Sequence, residues 1–276
     1  MIDSASHVSD PALSVQNVTF RYRSRFAKNP DAVLKGITCS IESGGILGIL
    51  GPNGSGKSTL LKLLARILTA QQGTINLFGQ DVQQLSQADI ARRVAFVPQE
   101  TQQHFPFTIG EMVLMGRFPH HAGFAGWHWE DSEDVAIAQT AMRDLDVAHL
   151  GNRLITDVSG GERQRAVIAR ALTQEPHVLL LDEPTAFLDL HHQLDIARIL
   201  RRLNKERGLT VVLVSHDLNL ASQYCDRLML LKHGSIVEMG SPQEVICSEV
   251  LEPVYGCPVL VDRHPQSGLP RVSLPV

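Results

Sequence analysis

Apolar residues recur along the chain with two periods, and the points where the period changes divide it into elements. Leu13, Val15, Val18 and Phe20 roughly alternate with their neighbours, as do Ile37, Cys39 and Ile41, so two strands of an antiparallel layer are expected at the start. Residues 46–50 are an unbroken run, ILGIL, which reads as a short buried strand. Leu60, Leu61, Leu63, Leu64, Ile67 and Leu68 then fall at helical spacing. Residues 73–79 read as another edge strand, Ser86 with Asp89 as the capped start of a short helix reaching Arg93, and residues 94–97 as a buried strand broken by Pro98.

Over residues 101–154 the strand signal fades. Thr108 and Glu111 have the spacing of a capping box ahead of Met112, Val113 and Met115, and Val135, Ala138, Met142 and Leu145 mark the stripe of a longer helix, so a helical insert is expected over about residues 101–160. Ala166, Ala169 and Leu172 continue in helical period. Four aliphatics at 178–181 make a buried strand. A helix over about 191–207 turns Leu194, Ala197 and Leu200 inward. Residues 210–214 are another buried strand; 228–231 and 235–239, joined by a turn at His233 and Gly234, close the sheet. Ser241 and Pro242 open a short helix, and the Pro-rich last dozen residues read as a surface tail. The pattern predicts an α/β domain over 13–245, with a parallel core sheet, an antiparallel β layer and a helical insert, followed by a C-terminal tail over 246–276.

The chain has 276 residues, 43% hydrophobic and 20% charged, with a net charge of -4, enough for one large domain or two small ones. The slight acidity argues against a nucleic-acid-binding surface spread over the whole protein. Residues 1–11 are polar, with Asp3 and Asp10, and lack the layout of a secretion signal; no apolar run approaches the roughly 18 residues of a membrane span. Work at a membrane would therefore go through a partner. Cys39, Cys225, Cys247 and Cys257 are far apart and form no CxxC, so reduced buried thiols and a cytoplasmic setting are expected.

The chemistry centres on Gly51, Pro52, Asn53, Gly54, Ser55, Gly56, Lys57, Ser58 and Thr59, which match G-x-x-x-x-G-K-[ST] between a predicted strand and a predicted helix. Glycines there let consecutive backbone N–H groups face a phosphate chain, and the helix N-terminus adds about half a positive charge. Lys57 supplies a full charge near the β- and γ-phosphates, and Ser58 can ligate Mg²⁺. This is a P-loop NTPase arrangement, and the chain is expected to bind a nucleoside triphosphate. The aliphatic run at 178–181 ends in Asp182 and Glu183, the form of a Walker B strand: Asp182 can hold Mg²⁺ with Ser58, and Glu183 can deprotonate an attacking water. Gln99 follows a strand end, where a neutral amide could touch the metal or that water. His216 ends another strand and could contact the γ-phosphate.

Ser159 and Glu162 fit a capping box, but Gly160 and Gly161 directly after the cap cost roughly 1 kcal/mol each in a helix, so something is expected to approach that backbone closely: a phosphate chain in another copy of the protein. Tyr22 is either an aromatic platform for a nucleobase or a strand-end packing residue. The stretch 118–129 mixes aromatics and histidines. Its histidines lack metal-ligand spacing, which sets a haem or metal site below an apolar docking face made of Phe105, Phe107, Met112 and Phe118.

In order, the loop at 51–59, Gln99, VSGGERQ at 158–164, LLLDEP at 179–184, FLD at 187–189 and His216 resemble the ATP-binding cassette ATPases, over about residues 13–245. The resemblance implies a RecA-like core, ATP and Mg²⁺ as ligands, and roles residue by residue. Tyr22 would stack on adenine, and Gln99 would be the Q-loop residue. Asp182 would bind metal, Glu183 would be the catalytic base, Asp189 would belong to the D-loop and His216 would be the switch histidine. Ser159, Gly160 and Gly161 would face the ATP of the opposite subunit in a homodimer. The signature departs from many members in beginning with Val158 and carrying Glu162 in place of glutamine. Gly116, Arg117, Phe118 and Pro119, with residues 215–219 and 224–226, look like the importer subunits serving iron-siderophore, haem and cobalamin permeases. That likeness implies a cytoplasmic-face subunit seated on two integral membrane permease subunits, supplied by a substrate-binding protein, with no nucleic-acid partner. A soluble ABC ATPase of cofactor assembly, moving no solute, is the alternative of compatible size.

Overall fold

A computed structural model describes residues 11–22, 31–99, 106–121, 131–273 and 275. In chain order its elements are β1 (Leu13–Phe20), β2 (Leu34–Ile41), β3 (Ile46–Leu50), α1 (Lys57–Leu64), β4 (Gln72–Leu77), β5 (Gln80–Asp81), α2 (Gln87–Arg93), β6 (Val94–Val97), α3 (Ile109–Leu114), a 3-10 segment (Met115–His120) and α4 (Ser132–Asp144). There follow α5 (Gly160–Leu172), β7 (Val178–Asp182), α6 (Leu190–Arg207), β8 (Thr210–Val214), α7 (Leu218–Tyr224), β9 (Arg227–Lys232), β10 (Ser235–Gly240), α8 (Pro242–Val245), α9 (Ser248–Tyr255), β11 (Leu260–Arg263) and β12 (Pro270–Ser273).

Among the described residues the central sheet has the order β10-β9-β3-β8-β7-β6, parallel from β9 to β6 with β10 antiparallel at its edge. Its middle strands carry no polar face because both sides are covered. Along β7, Leu179 and Leu181 pack with α3, α4 and α5, while Val178 and Leu180 point the other way, against α1 and the antiparallel layer. That second layer has the order β2-β1-β4-β5. Helix α1 lies between the two sheets, which is why Leu60, Leu61, Leu63 and Leu64 are all buried. The helix stops at Leu64, short of the predicted Ile67 and Leu68, because Arg66 takes a positive φ of 51° and Ile67 turns to solvent. The strand expected at an edge, β4, is paired on both sides, with β1 and the two-residue β5.

The helical segment is tied where it leaves and rejoins the sheet domain: Ile109 N–H donates to Arg153 O (2.9 Å) and Gly110 N–H to Gly151 O (2.8 Å). Thr108 and Glu111 do form a capping box at α3. Met112, expected on a docking face, is buried in the core instead. Phe107 and Phe118 are partly exposed, and Phe105 lies outside the described residues.

The expected surface tail is a further correction. α9 is followed by a β11–β12 hairpin that is fastened to α7: Asn219 Nδ2 donates to Val272 O (3.1 Å), Val272 N–H donates to Asn219 Oδ1 (2.8 Å), and Ser222 Oγ donates to Pro270 O (2.6 Å). The cysteines are free thiols as expected, but their burial is uneven: Cys225 is buried and Cys257 is exposed.

Candidate active site

The loop between β3 and α1 is shaped by its glycines. Gly51 has φ 141°, and a Cβ there would lie 2.1 Å from Leu231 O; Gly56 caps α1 at φ 103°, with Leu34 Cδ2 2.6 Å from where its Cβ would be. Any other residue would push the loop off the strand edges that frame it. Lys57 folds back over the loop, its Nζ donating to Gly51 O (2.8 Å) and Pro52 O (3.0 Å). Burial pulls the Lys57 amine below its ordinary value, and the charges of Glu183 and Asp182 push the other way.

Strand β7 delivers the two acids. Ser58 Oγ donates to Asp182 Oδ1 at 2.9 Å. Burial, foremost, and the neighbouring charge of Glu183 raise the Asp182 carboxyl above its ordinary value, against the hydrogen bond from Ser58. A hydroxyl beside a carboxylate is an all-oxygen donor pair suited to Mg²⁺, which takes one or two protein ligands and completes its shell with phosphate and water. Among the described residues no group of three or more His, Cys, Asp or Glu could hold a metal by itself, so the fit is to a metal that arrives with phosphates.

Glu183 takes a positive φ of 52°, and its carboxylate is held from both sides. Gln99 Nε2 donates to Glu183 Oε2 (2.7 Å), and His216 Nε2 hydrogen-bonds Glu183 Oε1. These residues, with Asn53, Gly54, Ser55, Gly56, Lys57, Ser58 and Thr59, line one cavity of about 650 Å³, of nucleotide size. The hydroxyl of Ser55 is buried in this loop and lacks a hydrogen-bond partner, as a group awaiting an anionic ligand would. Tyr22 sits beside the cavity: its ring packs edge-on against Phe20 at 4.9 Å, its hydroxyl is 3.2 Å from Thr59 Oγ1, and it is 45% exposed. Sequence reasoning missed Val33 and Ala186 on the cavity wall, which carry no chemical signal, and Tyr255, whose oxygen accepts a backbone hydrogen bond from Gly51.

Ser159, Gly160, Gly161 and Asp189 do not reach this cavity. Ser159 and Glu162 form the capping box of α5. The two glycines differ. A Cβ on Gly161 would strike the His192 ring at 2.4 Å, so this glycine is required inside the chain; at Gly160 the nearest atom is Leu188 Cδ2 at 3.7 Å, and the residue is exposed. Asp189 caps α6 by accepting from His192 N–H (2.9 Å), the contact that chiefly lowers its carboxyl pKa. Beside it Phe187 is 91% exposed at a positive φ of 61°, an unusual position for a large apolar side chain. Of the histidines weighed as metal ligands, His120 bonds to Gln174 O and His121 to Asp134; His128 lies outside the described residues.

A family model described as ABC transporter matches residues 34–186. The ferric enterobactin transport ATP-binding protein FepC of Escherichia coli K12 is 40% identical over 240 residues, covering 87% of this chain and 88% of that protein. A chain from an inward-facing structure of a transporter assigned to the metal-chelate ABC type superposes with a TM-score of 0.81 at 31% identity, covering 96% of this chain and 97% of the other. The dimeric post-hydrolysis structure of the cassette MJ0796, bound to ADP and Pi, superposes at 0.72 with 28% identity, covering 83% and 98%. With the family model spanning more than half of its length, and these likenesses over most of it, the chain belongs to the ABC transporter family as one of its ATP-hydrolysing cassettes.

Proposed function

We propose that this chain hydrolyses ATP as the energy-supplying subunit of a metal-chelate importer, peripheral to the membrane on its cytoplasmic face and seated on a separate permease, with the cassette domain spanning residues 13–245. No described helix is long and apolar enough to cross a membrane, which fits a role that depends on a membrane-embedded partner. The cargo class, an iron-siderophore, haem or cobalamin complex, follows from the likeness to a ferric enterobactin system and to a metal-chelate type transporter.

The observation that carries the reading is the grip on Glu183 from Gln99 and His216, across one cavity from the phosphate loop. In the proposed reaction the water oxygen forms a bond to the γ-phosphorus as the bond to the β-phosphate oxygen breaks. The water proton passes to Glu183, whose carboxylate is aimed by the Gln99 amide and by His216. Lys57 and the backbone N–H groups of residues 53–58 neutralise the charge that develops on the phosphoryl oxygens. Ser58 and Asp182, with Gln99 as a further candidate ligand, are the groups that would hold Mg²⁺, which supplies further charge neutralisation when bound. Tyr22 would stack on adenine from the cavity's rim. Gly51 and Pro52 serve through their carbonyls, which station Lys57.

Ser159, Gly160, Gly161 and Asp189 act in the second copy of a head-to-tail homodimer. Their absence from the wall of the chain's own cavity and the exposure of Gly160 support that placement, as does the dimeric cassette that this fold resembles. A substrate-binding protein would deliver the chelate to the permease. The test is Glu183→Gln: ATP affinity should be retained while turnover falls by about 10²–10⁴-fold, the usual share of a general base. Normal turnover by the variant would refute the assignment.

A further inference from the structure

The segment 116–121 carries a buried charge cluster that the hydrolytic site does not use. Arg117 is 6% exposed and Asp134 is 5% exposed. Arg117 Nε donates to Asp134 Oδ1 (2.7 Å), while its Nη1 donates to Thr173 O (3.0 Å) and to Glu175 Oε2 (2.7 Å). The second oxygen of Asp134 is taken by His121 Nε2 at 2.5 Å. Buried ion pairs seldom add net stability, since desolvation offsets the attraction; their better-attested use is to fix one arrangement among several. What this cluster fixes is the meeting of four elements.

Gly116 lies against the C-terminal end of α5, where a Cβ would be 2.2 Å from Arg170 O. His120 hydrogen-bonds Gln174 O, in the turn that leads from α5 into β7, and Glu175 in that turn has a positive φ of 52°. Asp134 belongs to the first turn of α4. Arg92 of α2 donates from Nε to Pro119 O (2.8 Å). The connections to α5, β7 and α2 lead to the hydrolytic machinery. α5 runs back from this joint over about 20 Å to Ser159 and Gly160 at its other end. β7 runs forward to Asp182 and Glu183, and α2 passes directly into β6, two residues before Gln99. Phe118, 44% exposed, stands on the outer side of the same segment.

We propose that Arg117 is a positioning residue: with Asp134 and Glu175 it locks the 116–121 segment to α4 and to the turn between α5 and β7, while Arg92 ties the same segment to α2, so that a displacement imposed by the membrane partner at Phe118 reaches Ser159, Glu183 and Gln99 together. This rests on the importer reading above. The joint transmits along packed helices and strands, and it touches neither nucleotide nor cargo. Lysine cannot replace arginine here, because one ammonium on a flexible stem cannot hold Asp134, Thr173 O and Glu175 at once.

The test uses the complete transporter, reconstituted with its permease in lipid vesicles, with ferric enterobactin as the offered chelate and haem and cobalamin in parallel. Uptake and ATP hydrolysis are measured together for the wild type, Arg117→Lys and Glu175→Gln. The basal ATPase of the isolated subunit should stay within about twofold of wild type while uptake per ATP falls by about tenfold in Arg117→Lys, and less in Glu175→Gln, as for a loss of coupling between sites. A purely structural role would lower the melting temperature and leave that ratio alone. If Arg117→Lys does not fold, Glu175→Gln decides, since it removes only the half-exposed arm of the cluster. Unchanged uptake per ATP in the folded variants overturns the joint alone; a wild-type complex that moves none of the three chelates with ATP overturns the importer reading and the joint with it.

Discussion

The two glycines at the start of α5 give a prediction in which neighbouring substitutions have opposite effects. Gly160→Ala adds a methyl group whose nearest neighbour within the chain is 3.7 Å away, an ordinary van der Waals contact, at a φ that alanine accepts. Alanine is the better helix former by up to about 1 kcal/mol, so the isolated subunit should be as stable as wild type or slightly more so. Its ATP affinity should not change, because residue 160 does not line the chain's own nucleotide cavity. Turnover should nonetheless fall by about 100-fold, the usual penalty for displacing a reacting group by about 1 Å, because in the proposed homodimer the new methyl group would stand between one subunit and the triphosphate held by the other. Gly161→Ala is the internal control. Its Cβ would press into the His192 ring at 2.4 Å and force it away from Arg165 Nη1, which lies 3.4 Å from His192 Nδ1. Overpacking of that kind costs about 1–3 kcal/mol. At roughly 2–4 °C per kcal/mol for a domain of a couple of hundred residues, thermal unfolding should shift down by several degrees. The assays are differential scanning fluorimetry, nucleotide titration and steady-state phosphate release on both variants. A Gly160→Ala protein that hydrolyses ATP at the wild-type rate would remove the idea that this helix end serves a partner's nucleotide.

Two further outcomes follow from contacts elsewhere. Asn219→Ala removes two of the three hydrogen bonds described between β12 and α7, worth about 1 kcal/mol each, and leaves the one from Ser222, so amide exchange over residues 260–273 should accelerate while α7 itself stays protected. Burial alone would raise the Asp134 carboxyl, but the hydrogen bonds and charges of Arg117 and His121 outweigh it and hold the group below its ordinary value. Its pairing therefore contributes stability above the ordinary carboxylate range and loses it as pH falls through the depressed value. The gap in melting temperature between wild type and Asp134→Asn should close on acidification, and a gap that widens would contradict the sign.

What the sequence discloses follows from how locally each feature is determined. The phosphate loop is consecutive in sequence and its conformation is set by its own glycines, so Gly51 through Thr59 are legible without any partner. Apart from Gly48, Asp182 and Thr210, β3, β7 and β8 are aliphatic because both faces are covered, and the run itself announces the burial. The capping boxes at Thr108 and Ser159 are likewise four-residue events. Features made by residues far apart in the chain were not legible. The need for Gly161 comes from His192 on another helix, so the pair Gly160–Gly161 looks like one signal and is two. Met112 has the same local pattern whether its helix face meets solvent or α5. The C-terminal hairpin reads as a tail because its strands are short and its anchors are two polar side chains, Asn219 and Ser222, on a helix some fifty positions earlier. The burial of Arg117 needs Asp134, Thr173 and Glu175, and a lone arginine in sequence gives no sign of them.

The central claim is that two copies of this chain close on ATP, each completing the other's site. Sedimentation of Glu183→Gln with ATP and Mg²⁺ tests it most directly. The account requires a stable dimer that retains one unhydrolysed ATP per subunit and falls apart when nucleotide is removed. A protein that binds ATP yet sediments as a monomer at every concentration would contradict it.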